Sequence, residues 1–499
     1  MGAYLLGVDI GTSACKAALF DENGDIAAQA SREYPVRYPS CGMAEQDPDE
    51  WWSAACACIR EIIETSSVPA RDIAGIGVDG QSWSAVAVDR TGAVLCPTPI
   101  WTDTRSAKQC SEILARVPEK ELFAVSGNPL APGYSLPKIL WYKKCLPDVY
   151  GKTAYILQSN SFIAFRLTGA VSQDLSQGYG FSCFDIRKGK WLPDIAERIG
   201  IRTDVLPPLF ASHEIIGRIT KEASALTKLP EGVPVAAGGL DAACAALGAG
   251  VIDNGQTQEQ GGQAGGMSIC LDAFAAHEKL ISGCHVVPGR WLLQGGTTGG
   301  GGALKWLREN VCPELSFEDM SALAASVPPG SGGLVFLPYM AGERSPIWNP
   351  SAKGVFFGLD YGKTRAHLIR AVMEGVAYSL RHNLETAAQA GAEAAVLRTV
   401  GGSAKSDVWT QIKADATGKR IETTTGAAAS ALGAAMLAGI GAGVYGTFAE
   451  AVRKTVRLSR SYMPDSDNAK IYNDGYAKYL ELYGRLEPMM PPCTASGNN

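Results

Sequence analysis

One alternation, met twice, restricts this chain more than anything else in it. Near the start, Tyr4–Val8 and Ala17–Phe20 read as apolar strands. The turn signal Asp21–Gly24 and a third short strand, "DIAAQA", follow. A helix is then announced by Asp47 as cap, Pro48 at its first position and acids in its first turn. Apolar residues recur at helical spacing from Trp51 to Ile63 before another apolar strand, "IAGIGVDG", ends on Asp79-Gly80. Three strands, a helix and a strand make an α/β unit that opens with a meander.

Past the midpoint a weaker copy appears. "GVPVAAGGLDAACAALGAG", 232–250, reads as strand, Gly-Gly turn, acid and small-residue helix. "QEQGGQAGGMSICLD", 258–272, reads as strand, Gly-rich turn and strand, like the first hairpin. "AAVLRTVGGSAKSDVWTQIKADATG" again passes from strand to helix. The chain of 499 residues is long enough for roughly two to four domains, and the pattern predicts two similar lobes with a boundary near residue 250. The expected spans are 1–249 and 250–487, with 488–499 read as a disordered tail.

The net charge of −5 gives no basic excess for a nucleic-acid surface. Thirteen cysteines without paired spacing point to free thiols in a reducing, cytoplasmic compartment. Five dispersed histidines offer no ligand-spaced cluster for zinc. The N-terminal apolar run carries Asp9 and lacks a basic leader or cleavage site, so no signal peptide is read there. The uncharged stretch Gly426–Phe448 is long enough to span a bilayer, but it is mostly Ala and Gly. Small residues at that density suit a buried helix that approaches a ligand or another helix.

Between two stretches made for a core, the chain places Asp9-Ile10-Gly11-Thr12-Ser13. A tight turn there exposes backbone N–H groups, and Gly11 lets a ligand come close. With the Thr12 and Ser13 hydroxyls and the Lys16 ammonium, those donors suit phosphate oxygens. Asp9 would repel phosphate unless Mg²⁺ stood between them. A plain hairpin with Asp9 as turn former is the alternative. Asp241, after Gly238-Gly239, reads either as a helix cap or as the base that takes a proton from an attacking hydroxyl. Gly401-Gly402 reads either as a packing turn or as a floor for a flat base. "GLDYGKT" misses the spacing of a phosphate-binding P-loop by one residue, and "GGTTGGGG" lacks the acid that a dinucleotide fingerprint needs.

Taken together, "GVDIGTSACKAALFD", "EQDPDEWW", "IWTDTR", "GGLDAACAALGAG", "FLPYMAGERSPIWNPSAKGVFFGL", "RAVMEGVAYSLR" and "GGSAKSDVWTQIKADATG" resemble the FGGY carbohydrate kinases. The resemblance runs from about Tyr4 to about residue 485 and is nearest to the xylulokinase type. It implies two actin- and hexokinase-like (ribonuclease H-like) α/β lobes around a cleft, ATP and Mg²⁺, a sugar as acceptor and, as in relatives, a homodimer. It implies no membrane or nucleic-acid partner.

The same resemblance places Gly11, Thr12, Ser13 and Lys16 in the first phosphate loop, and Gly262, Gln263 and Gly265 in the second. Asp9 is implied near the metal together with Asp241, which is also the catalytic base. Gln81, Ser82, Trp83, Trp101, Asp103 and Arg105 fall at the sugar site with Asp241. Gly401, Gly402, Ser403, Ser406 and Gln411 fall in the adenosine segment, and Glu343 and Arg344 in an interlobe segment assigned to packing and hinge geometry.

Two departures stand out. Where xylulokinases typically show Gln-Met-His-Gly, this chain has Gln81-Ser82-Trp83-Ser84, and its second phosphate loop reads Gly262-Gln263-Ala264-Gly265 without hydroxyls. The expected activity is ATP-dependent phosphorylation of a ketopentose, D-xylulose to D-xylulose 5-phosphate. The alternatives are another ketose or a polyol (ribulose, a deoxyketose, glycerol, erythritol), or a non-catalytic sugar-responsive binding protein.

Overall fold

In the computed structural model the described residues are 2–490 apart from 427. Of the expected tail, residues 488 and 489 belong to the short 3-10 turn Glu487–Met489, while 491–499 lies outside the described residues.

Tyr4–Ile10, Ala14–Asp21 and Ile26–Glu33 form the antiparallel meander that the sequence announced. The second strand begins three residues earlier than its apolar run, because Lys16 pairs opposite Asp9 and extends the ladder. Ile73–Gly80 joins Tyr4–Ile10 in parallel, followed by Pro234–Ala236 in parallel and Ile215–Arg218 in antiparallel. The helix Pro48–Thr65 starts where it should: the Asp47 side chain accepts from the Asp49 N–H, and Trp51, Ile59 and Ile62 are buried against the sheet.

The second sheet repeats the plan. Trp291–Thr297, Gly265–Leu271 and Gln256–Gly261 are antiparallel neighbours. Val396–Val400 and Arg420–Thr424 continue in parallel, and Leu458–Tyr462 closes the edge in antiparallel. Strand for strand this matches the first sheet, with Ile281–Cys284 added beyond the meander. The two lobes are thus alike in topology, as the sequence pattern implied.

The small-residue stretch Gly426–Phe448 contains the helix Ala429–Gly441, which crosses the face of the first sheet. A Cβ at Gly7 would collide with the Ala431 carbonyl, and one at Gly77 with that of Ala434, so backbone rides directly on backbone. Gly433 permits the same closeness to Cys244 on the helix Asp241–Gly248. Although it lies beyond residue 250, this helix packs on the N-terminal sheet and joins the two halves. No described helix is long and apolar enough to cross a membrane. The twelve described cysteines are all free thiols.

Candidate functional site

The site grows out of one rung of the first sheet. Ser31, Lys16, Asp9, Asp79 and Gly239 are successive partners across five strands. Asp241 follows Gly239 by two residues and opens the helix Asp241–Gly248. Strand register gathers Asp9, Asp79 and the Lys16 ammonium, and the short step from Gly239 into the helix adds Asp241. Asp79 was not among the candidates from sequence, although its strand ends as the first one does, an apolar run closing on Asp and then Gly after at most one residue.

Crowded carboxylates under a sheet face must change their ionisation. Burial raises the pKa of Asp9, and Lys16 opposes that rise. Asp79 is fully buried and driven well above the carboxylate range, first by burial and then by the charges of Asp9 and Asp241. Asp9 and Asp79 lie within hydrogen-bond reach of each other, so a proton kept on Asp79 serves Asp9. Asp241 is pushed up to about 7 by burial and by Asp9. A carboxylate so tuned is basic enough to accept a hydroxyl proton near neutral pH.

The first hairpin turn is braced from several sides. The Gly11 N–H donates to the Ala14 carbonyl at 3.1 Å, and Tyr34 Oη donates to the Gly11 carbonyl at 2.5 Å. Gln46 Nε2 donates to the Thr12 carbonyl at 2.8 Å, and Trp101 Nε1 donates to Thr12 Oγ1 at 2.9 Å. Trp101 therefore ties the "IWTDTR" segment to the turn. Ser13 stays exposed and free to meet a ligand.

Of the expected sugar-site residues, Gln81 is buried and joined to Gln46 at 2.8 Å, with its Oε1 unpartnered among the described residues. Trp83 sits at φ 58° with Ser82 half-buried beside it. Its ring stands edge-on to Tyr134 at 4.5 Å and to Tyr179 at 6.0 Å, forming an aromatic wall. Lys138 fastens that wall. Its buried ammonium donates to the carbonyls of Trp83, Ile100 and Gly133 at 2.7–2.8 Å, while burial draws its pKa down to about 7. Asp103 and Arg105 turn inward: Arg105 Nε donates to Asp103 at 2.8 Å and Arg105 Nη2 to Glu45 at 2.7 Å, while Asp103 also accepts from the Ala44 N–H. That pair shapes the segment rather than presenting charge to the cleft.

The second hairpin turn, Gly262, Gln263 and Gly265, is backed by the helix Gly301–Val311. The N–H groups of Gly301 and Gly302 donate to the carbonyls of Gly262 and Gln263, each at 2.8 Å. The Gly-rich run 295–302 serves this close approach, because a Cβ at Gly300 would strike the Gly265 nitrogen.

Two cavities flank the segment that leads into the crossing helix. One of about 430 Å³ is lined by Gly401, Gly402, Lys405, Thr424, Thr425 and Arg460. The other, about 620 Å³, is lined by Asp9, Lys16, Ser31, Arg32 and Ala428–Ala431. Ser403, Ser406 and Gln411 build the wall of the first cavity instead of lining it. Ser403 Oγ accepts from the buried Lys413, itself paired with Glu259 at 2.7 Å. Ser406 caps the helix Asp407–Thr417, and Gln411 bonds Asp415 and the Met463 carbonyl. Lys405, at the end of the turn segment itself, was passed over, and Thr424, Thr425 and Arg460 were missed because only the fold brings strands 420–424 and 458–462 beside the Gly-Gly turn.

A magnesium ion fits the acid end. Asp9 Oδ1 has no donor among the described residues and is a hard oxygen ligand. Among the described residues no group of three or more acids, histidines or cysteines is arranged to enclose a metal. A cation there would take its remaining ligands from phosphate and water, which is how magnesium prefers to bind.

Comparison with known proteins agrees with this geometry. Residues 4–248 match the N-terminal domain, and 267–442 the C-terminal domain, of the FGGY family of carbohydrate kinases. The chain is 33% identical over 485 residues to a xylulose kinase of Bacillus subtilis, covering 96% of each. It is 30% identical over 497 residues to an L-xylulose/3-keto-L-gulonate kinase of Escherichia coli, covering 98% of each. The crystal structure of a xylulose kinase from Rhodospirillum rubrum superposes with a TM-score of 0.89 at 32% identity, over 98% of this chain and 99% of that one. The lobes, the paired hairpins and the relatives along nearly the whole length agree: the chain belongs to the FGGY family of carbohydrate kinases.

Proposed function

We propose that this kinase transfers the terminal phosphoryl group of ATP to a sugar hydroxyl, with a ketopentose such as D-xylulose as the preferred acceptor. The observation that carries the reading is the rung that sets Asp9 and Asp79 in register and delivers Asp241 beside them. Phosphoryl transfer asks the protein for alignment, charge neutralisation and a carboxylate to orient the nucleophile. Asp241 takes the proton of the attacking hydroxyl. The N–H groups of the first hairpin, Thr12, Ser13 and Lys16 face the phosphates, with the second turn, Gly262–Gly265, opposite. The adenosine lies in the cavity over Gly401-Gly402, and Gln81 and Trp83 wall the sugar. Magnesium held by Asp9 and the phosphates neutralises phosphate charge.

The names of the relatives favour a ketose, and the B. subtilis and R. rubrum proteins favour xylulose. The indole of Trp83, in a segment where a histidine stands in typical xylulokinases, narrows the sugar site and makes the acceptor the property to measure. An ADP-coupled screen of ketoses, polyols and sugar acids, followed by location of the phosphate on the product, tests the reading. The expected result is fastest turnover with a ketopentose, phosphorylated at its terminal hydroxyl. Fastest turnover with a polyol or a sugar acid would replace the substrate while leaving the chemistry. No sugar-dependent ADP at all would overturn both.

A further inference from the structure

Arg344 occupies an unusual place. Its neighbour Glu343 is saturated, accepting from Thr297 Oγ1 at 2.5 Å and from the N–H groups of Thr298 and Arg344 at 2.9 and 2.7 Å. The Arg344 guanidinium has no hydrogen bond and no ion pair with any described residue, although the side chain is half-buried. It lies close to the Gly296 backbone, where an added Cβ would stand 2.8 Å from Nη2 and 3.0 Å from Cζ, and over the ring of Trp101, with Cζ 5.8 Å from the ring centroid. Its N–H donors form a planar fork suited to an oxyanion.

The surroundings say which oxyanion. Gly296 is the ladder partner of Gly266, and Thr297 that of Gly265, so this strand adjoins the second hairpin turn. Trp101 donates to Thr12 in the first hairpin turn. Arg344 therefore lies against Gly296, beside the second hairpin, and Trp101, which holds the first hairpin turn. Glu343 is the neighbouring counter-charge, but its oxygens are taken by other donors, so the half-buried guanidinium is left to hydrogen-bond an arriving anion.

We propose that Arg344 binds the phosphoryl group in flight: its fork receives the equatorial oxygens as the group passes from ADP to the sugar, and it keeps hold of the phosphate of the product. This rests on the kinase reading above. In the step, the bond between the terminal phosphorus and the bridging oxygen breaks with its electrons left on ADP. The sugar oxygen bonds to phosphorus, the hydroxyl proton goes to Asp241, and Arg344 neither gains nor loses a proton. A carboxylate on an acidic sugar has the same donor requirement, and the test separates the two sources.

The test compares Arg344→Gln and Arg344→Lys with the wild type, using the acceptor the screen selects, its phosphorylated product, and D-gluconate as a carboxylate probe. For Arg344→Gln the expected result is product affinity lowered about tenfold or more, affinity for the neutral sugar within about twofold, and turnover lowered on the order of 10²-fold. Arg344→Lys should recover part of each, because it keeps the charge and loses the fork. Equal loss of affinity for neutral sugar and product, or unchanged product affinity, would overturn the inference. Loss confined to D-gluconate would overturn the phosphoryl assignment and give the fork to a substrate carboxylate. Should both variants fail to fold, the wild type still decides. Phenylglyoxal labelling of Arg344, mapped by mass spectrometry, should be blocked by the product and not by the neutral sugar, and equal protection by both contradicts the proposal. A wild type without sugar-dependent ADP release sinks the kinase reading, whereas normal wild-type turnover with phosphate-indifferent variants sinks only this inference.

Discussion

Asp9 and Asp79 stand opposite one another in register on neighbouring parallel strands, each within hydrogen-bond reach of the other. Two carboxyl groups so placed cannot both be ionised cheaply, and the fully buried Asp79 is the one that keeps the proton.

That assignment fixes a pH dependence. The pKa of Asp79 is higher folded than unfolded, so above pH 4 the unfolded chain binds fewer protons and stability falls as pH rises. Asp79→Asn keeps a donor for Asp9 and removes the ionisation. The variant should be more stable than the wild type at pH 8, with the gain vanishing near pH 4.5. Urea melts at the two pH values measure it, and a difference independent of pH would contradict the shared proton.

Asp241 sets the acid limb of the rate. With its pKa raised to about 7 by burial and by Asp9, the base is protonated below that pH. In the wild type, kcat/KM for the sugar should rise tenfold per pH unit below about 7 and level above it. A profile flat from pH 5.5 to 8.5 would remove Asp241 from the limiting proton transfer.

Lys138 is a knot of three carbonyls behind the aromatic wall. Lys138→Met leaves those acceptors buried and unpaired, at a cost of about 2–4 kcal/mol. Because the knot fastens the Trp83 and Tyr134 segments and not the adenosine cavity, KM for the sugar should rise well above tenfold while KM for ATP stays within about threefold. Equal changes in both constants would make the residue a general stabiliser.

The contact of the crossing helix with the sheet is equally open to test. Gly77→Ala places a methyl group on the Ala434 carbonyl and should cost about 3 kcal/mol or more. Gly151→Ala, where an added Cβ meets nothing within 4 Å, should be neutral or stabilising by a few tenths of a kcal/mol. Denaturant midpoints of the two variants decide it: a small loss at Gly77 would mean that the helix yields.

What was legible in the sequence was whatever local patterning dictates. Apolar runs ending on Asp and Gly announced the first hairpin, the cap at Asp47 announced its helix, and the Ala- and Gly-rich stretch announced close helix packing. Register was not legible, because it is set by which strands pair. The rung that brings Asp79 to Asp9 therefore stayed hidden although Asp79 closes its strand much as Asp9 does. The adenosine segment shows a second limit of local patterning. Ser403, Ser406 and Gln411 are polar residues after a Gly-Gly turn, yet a buried lysine, a helix cap and a side-chain pair claim them. Thr424, Thr425 and Arg460, which help to line that cavity, lie 20 to 60 positions away. Asp103 and Arg105 carry opposite charges two residues apart and satisfy each other.

The central claim is that Asp241 takes the proton of a sugar hydroxyl as phosphate moves to it. Single-turnover measurement of sugar-dependent ADP and sugar phosphate in the wild type and in Asp241→Asn tests this most directly. The account predicts stoichiometric sugar phosphate from the wild type and a chemical step slowed on the order of 10²–10⁴-fold in the variant, with sugar and ATP still bound. A variant that forms sugar phosphate at the wild-type rate would contradict it.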